Sequence, residues 1–138
     1  MRFVCLLFVS AAVLGAGTGV AGWQPTGSGT GSVGSKTMPG PGATPTATVP
    51  LASHNVTVSW AASTFADGSA MPSYVVKRYD STLGTVQTVG AACNGLVSGT
   101  SCVEAAVPSG AWKYSVTPAA GNWRGTEGAQ SSSVIVGP

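Results

Sequence analysis

The chain has 138 residues, of which only 7% are charged, and its net charge is +2. Globular proteins average about 25% charged residues, so Ser, Thr, Gly and Ala must carry most of this surface. So small a positive balance does not argue for nucleic acid or an anionic membrane as partner. A single His and four acidic residues leave little material for acid–base chemistry.

Residues 1–21 read as an export signal. Arg2 is the lone n-region charge, Phe3 to Val13 is an apolar run broken only by Ser10, and Gly19-Val20-Ala21 puts small residues at the cleavage positions. The expected cut lies between Ala21 and Gly22. The alternative is an uncleaved signal helix acting as anchor, since the roughly 19 residues from Phe3 to Ala21 just suffice to span a bilayer. Cys5 is a small apolar residue of that run. Residues 22–44 are rich in Gly, Ser, Thr and Pro, with Gly27-Ser28-Gly29-Thr30-Gly31-Ser32 followed by Pro39-Gly40-Pro41-Gly42. No apolar periodicity survives there, so a disordered linker is expected, acting either as a tether or as a leader without further role.

From Pro45 turn signals recur every eight to twelve residues without helical periodicity, which means an all-β sandwich. A first strand is expected at 46–51, with Pro50 suiting an edge. Asn55 to Trp60 alternates Val56, Val58 and Trp60 with polar residues, the signature of a half-buried strand. Further strands are expected at 74–79, 85–89, from Cys102 to about Ala106, at 112–117 and at 132–136. The predicted core is Val56, Val58, Trp60, Tyr74, Val76, Trp112, Tyr114, Val116, Val134 and Val136. A domain of about 90 residues buries roughly 60–65% of its unfolded surface, enough to fold alone but marginally.

Leu14 to Trp23 resembles the "hydrophobic–Gly-x-Gly-Thr-x-Ala" end of signal peptides on Gram-positive biofilm-matrix fibre proteins, over about ten residues. From about Pro45 to Val136 the chain resembles a fibronectin type III domain, a seven-stranded immunoglobulin-like sandwich. Val56-Thr57-Val58-Ser59-Trp60, Tyr74-Val75-Val76-Lys77-Arg78-Tyr79, Pro108-Ser109-Gly110 before Tyr114-Ser115-Val116, and the closing Ser133-Val134-Ile135-Val136 carry it. The resemblance implies that Trp60 sits at the core centre and that the Tyr114 hydroxyl bonds back to the upstream backbone. Cys93…Cys102 and Gly121-Asn122-Trp123-Arg124-Gly125 resemble fibronectin-like domains of exported proteins from high-GC Gram-positive bacteria.

Cys93 and Cys102 are the only cysteines left after the signal, and an exported chain meets an oxidising compartment, so a disulfide is expected. Closing so short a loop contributes about 2.5 kcal/mol on the chain-entropy model. Two thiols with one distant His54 do not make a metal site, and no cofactor is expected. His54 has no assignable Ser or Asp partner. Asp67 and Asp80 read as turn residues. Glu104 and Glu127 lie on different predicted elements, and nothing pairs them. The Asn55-Val56-Thr57 sequon reads as chance in a bacterial chain. Trp123, flanked by Asn122 and Arg124, either contacts a sugar ring or protein partner or folds back as a lid on the sandwich, and Tyr79 joins it if its ring points outward.

Two functions remain. One is a noncatalytic structural or interaction domain of adhesion or matrix type, secreted or on the cell surface, whose partner is a protein or polysaccharide. The other is a carbohydrate-binding accessory module. Nucleic acid is not an expected partner, and the membrane enters only through residues 1–21 if they are retained. No sorting motif or second apolar segment precedes Gly137-Pro138, so covalent wall attachment through the C-terminus is not expected.

Overall fold

The computed structural model describes residues 36–138, so the signal, its cleavage point at Ala21 and Gly22, and the first part of the linker lie outside the described residues. The strands are β1 (Thr46–Thr48), β2 (Val56–Ser59), β3 (Ser73–Asp80), β4 (Val86–Gln87), β5 (Ser101–Glu104), β6 (Gly110–Ala120), β7 (Trp123–Arg124) and β8 (Val134–Val136), with one 3-10 turn at Ala91–Cys93. They form two sheets. The smaller has the order β1-β2-β5, and the larger has β4-β3-β6, with β7 and β8 both bordering the far edge of β6.

The alternation of β2 becomes a division between layers. Val56 and Val58 are fully buried, Ser59 faces water, and Trp60 follows with 7% exposure. In the larger sheet the long β3 and β6 pair in register from Ser73↔Ala119 to Asp80↔Trp112. Tyr74 and Val76 of β3 and Trp112, Tyr114 and Val116 of β6 therefore point into one interior, joined by Val134 and Val136 of β8. Trp60 meets Tyr74 edge-on at 5.5 Å between ring centroids. The Tyr74 hydroxyl, in turn, accepts the N–H of Ser63 at 2.8 Å. The indole Nε1 of Trp60 is buried without a partner.

Most differences from the expected strands lie at their ends. The first strand stops at Thr48, because the chain turns there: Ser53 N–H donates to Pro50 O and Ala52 sits at φ 54°. The fourth and last strands shorten to 86–87 and 134–136, while the sixth lengthens to 110–120. The fifth strand runs 101–104 because Ala106 takes φ 54° and turns the chain. Strand β7 was not expected. It belongs to an irregular edge on β6, where Gly125, Gly128 and Ser131 donate in turn to the carbonyls of Pro118, Val116 and Tyr114. That edge advances three residues for every two on β6, an extra residue per pair, and such bulged pairing leaves no period of two to read.

Within the stretch expected to be linker, Gly42 is buried and donates its N–H to Thr126 O at 3.1 Å. A Cβ on Gly42 would lie 2.1 Å from Val116 O, so no larger residue fits this close approach of backbones. Cys93 and Cys102 are joined as a disulfide, with Cα atoms 5.5 Å apart.

Candidate functional site

The polar chemistry of the described residues falls into an interior cluster and a surface one. Cys102 and Glu104 alternate with exposed Ser101 and Val103 on β5, so the register that buries the disulfide also turns Glu104 inward, at 1% exposure. On β3, Arg78 shares the inward face of Tyr74 and Val76. The two meet across the sandwich: Arg78 Nη1 donates to Glu104 Oε1 at 2.5 Å. Glu104 Oε1 also accepts the Gly90 N–H at 2.7 Å, and Oε2 accepts the Tyr114 hydroxyl at 2.8 Å. Arg78 Nη2 donates to Thr88 O at 2.9 Å, and the guanidinium lies 4.7 Å from the centroid of the Trp112 ring. Only Arg78 Nε is left without a partner. Burial and the hydrogen bond to Glu104 push the Tyr114 hydroxyl well above the ordinary tyrosine range.

The Tyr114 hydroxyl thus does not return to the upstream backbone, as the resemblance implied. It donates to a carboxylate from the opposite sheet, because Glu104 places a charged acceptor within reach and a charge-assisted bond is stronger than one to a carbonyl. Composition and motif reasoning had no place for this cluster. A signal did exist: strand alternation puts Glu104 on the face of Cys102, and Arg78 on the face of Val76.

The surface cluster gathers on the outer face of the larger sheet. The bulged edge lays Glu127 over β6, where its Oε1 accepts the hydroxyls of Tyr79 and Ser115 and its Oε2 accepts Lys77 Nζ at 2.6 Å. Burial raises the Glu127 pKa, but the bonds from Lys77, Ser115 and Tyr79 outweigh it and hold the carboxyl below the usual range. The hydrogen bond to Glu127 raises Lys77, while burial and then the same carboxylate raise Tyr79. Beside this cluster lies an open groove of about 290 Å3 lined by Val75, Lys77, Thr117, Arg124, Gly125 and Glu127.

The expected contact residues do not converge. Trp123 is 69% exposed, which rules out the lid reading. It pairs with Ala120, whereas Tyr79 pairs with Lys113, seven residues back along β6. At about 3.3 Å per residue the two backbones are roughly 23 Å apart, too far for one stacking platform. The Tyr79 hydroxyl is also engaged by Glu127. Asn122 is exposed in the turn, and Arg124 donates through Nη1 to Gly121 O and Trp123 O.

The remaining candidates take local roles. His54 Nδ1 lies 3.0 Å from Val107 O, beside an open groove of about 530 Å3 that Leu51 and Ile135 also line. Asp67 accepts both the hydroxyl and the N–H of Ser69, which lowers its pKa. Asp80 accepts the N–H groups of Thr82 and Leu83. Asn55 is exposed, with Oδ1 3.4 Å from Ala106 N. Glu104 lies in the interior and Glu127 on the outer face, so the two carboxylates share no site. Among the described residues no group of three or more His, Cys, Asp or Glu side chains is placed to hold a metal ion.

No protein-family model matches the chain, and no curated protein matches it. Among solved structures it is similar to the crystal structure of domains A168-A170 from titin, with a TM-score of 0.60 and 14% identity. The match covers 75% of this chain and 34% of that one, so the chain spans about a third of the titin chain it resembles. At that identity the likeness speaks for fold alone, an all-β sandwich of two sheets.

Proposed function

We propose that this protein is a noncatalytic structural or interaction domain, exported to a bacterial cell surface or its surroundings. In this reading residues 1–21 are a signal peptide or anchor, 22–44 a linker whose end packs onto the domain at Gly42, and 45–138 a seven-stranded fibronectin type III-like domain, with β7 and β8 as two parts of one edge strand. The observation that carries it is how the buried ionisable groups are used. Arg78, Glu104 and Tyr114 are all under 10% exposed and spend their polar atoms on one another and on backbone. A catalytic group must reach a substrate, and these face the core instead. The Cys93–Cys102 bridge supports an oxidising compartment.

The carbohydrate-module alternative draws on exposed Trp123, but Trp123 and Tyr79 do not form the flat aromatic row that would favour it. The test is intact-mass analysis of protein from the membrane and culture-medium fractions of the native host. A soluble species beginning at Gly22 and lighter by one pair of hydrogens is expected for an exported, oxidised domain. A membrane species keeping Met1 to Ala21 would make the leader an anchor and the domain a displayed one. Recovery only from cytosol, with free thiols, would overturn the proposal.

A further inference from the structure

The few charges of the described residues divide unevenly. Lys36 lies 3.6 Å from Asp67, Lys77 is bonded to Glu127, and Arg78 is bonded to Glu104. The fourth acid, Asp80, accepts N–H groups of its own turn and keeps its charge, one strand position from the Tyr79–Lys113 pair. Lys113 and Arg124 are left without an acidic partner, and both lie on the outer face of the larger sheet. Lys113 stands opposite Tyr79, and Arg124 opposite Ala119. Six residues of β6 separate those positions, about 20 Å. Between them lie Lys77, diagonal to Lys113, and the groove floored by Val75 and Thr117. Glu127 is the only acid on this face, and its oxygens are already occupied by Lys77, Tyr79 and Ser115. The two cations of the described residues that lack an acidic partner therefore stand on the same face, although the excess over the four acids is a single charge.

We infer that this face is a docking surface for an acidic polysaccharide, a linear chain of sugars bearing carboxylates. The charge selects an anion, and the roughly 20 Å line selects an extended one. Arg124 commits Nη1 to Gly121 O and Trp123 O, and its Nη2 and Nε have no partner among the described residues, so a carboxylate can be met by a planar donor pair. The half-buried Tyr79 ring beside Lys113 offers apolar surface to a sugar face, and Thr117 lines the groove with a hydroxyl. An extended peptide fits less well, because peptide addition uses the free edge of a sheet and this is a face, with β6 paired on both sides. The inference rests on the interaction-domain reading. That reading is tested by mass and location and this one by titration, so either can fail alone.

The experiment is calorimetric titration of the full chain with de-esterified polygalacturonate. Dextran and inorganic polyphosphate are run in parallel, at ionic strengths from about 0.05 to 0.3 M. Binding to polygalacturonate that weakens with salt, with none to dextran, is expected. Lys113→Gln with Arg124→Gln should lower the affinity about ten-fold or more, since hydrogen bonds to charged groups are among the stronger ones. Both side chains sit on the solvent side, so the double variant should keep its unfolding midpoint. An absence of heat with polygalacturonate overturns the inference, as does binding that survives the double substitution. Equal or tighter binding of polyphosphate overturns the polysaccharide assignment and leaves a general anion surface.

Discussion

Replacing Glu104 with Gln is the sharpest probe of what holds the two sheets together. Glu104 is 1% exposed and faces Arg78, whose side chain is 8% exposed. Gln can still accept from Gly90 and meet the Tyr114 hydroxyl, so packing is kept while the counter-charge is lost. Removing one partner of a buried ion pair costs about 3–5 kcal/mol, because the remaining charge stays desolvated. Against a domain stability of about 5–15 kcal/mol this is a large share. With an m-value of about 1–1.5 kcal/mol/M for a domain of this size, urea unfolding followed by Trp fluorescence should show the midpoint fall by about 2–5 M. Adding Arg78→Met removes the stranded cation. The double variant should therefore lose less than the sum of the singles, by at least about 1.5 kcal/mol. A midpoint shift below about 0.5 M for Glu104→Gln, or additivity within about 0.5 kcal/mol, would refute the account of a mutually dependent pair.

Replacing Cys93 and Cys102 with Ser should cost about 2–4 kcal/mol. It should also speed amide exchange at Gly90, whose bond to Glu104 lies on the segment the bridge pins to β5; unchanged exchange there would separate the disulfide from the ion pair. Glu127 has a lowered folded pKa, so its contribution is complete above the unfolded value near 4.5 and is lost as pH falls through the folded one. Glu127→Gln should flatten the acid limb of a stability–pH curve below about pH 4.5, and an unaltered limb would contradict the surface cluster. Tyr79 and Tyr114 are both raised, so stability should fall as pH climbs past about 10, and Tyr114→Phe should reduce that alkaline loss. Gly42→Ala should destabilise by about 1–3 kcal/mol through overpacking against Val116 O, whereas Gly40→Ala, with open space around it, should be neutral in the same thermal melt. Trp123→Ala should stay within about 0.5 kcal/mol of the parent, while Trp60→Ala should cost about 3–5 kcal/mol. Equal losses would mean that Trp123 is part of the core after all.

Local pattern was enough to read the layers. In Asn55 to Trp60 the choice of face is made by each residue's neighbours two positions away, because a strand turns successive side chains to opposite sides whatever it pairs with. The inward faces of β3 and β6 follow from the same rule, whereas the Cys93–Cys102 pairing was legible from cysteine count and expected compartment. The edge at 125–131 escaped that rule, since its bulges abolish the period of two and strand pairing there depends on which carbonyls of β6 come within reach.

The polar clusters depended on tertiary structure for a different reason. Arg78, Glu104 and Tyr114 are each legible as inward-facing, but they come from three strands in two sheets. Only the packing of one sheet on the other brings their charges within hydrogen-bonding distance. Glu127 reaches Lys77 across 50 positions of sequence because an irregular edge happens to lay it over β6. A single chain's periodicity records which way a side chain faces. What it meets there is settled by how the sheets stack and where a loop is laid down, and those are properties of the folded whole.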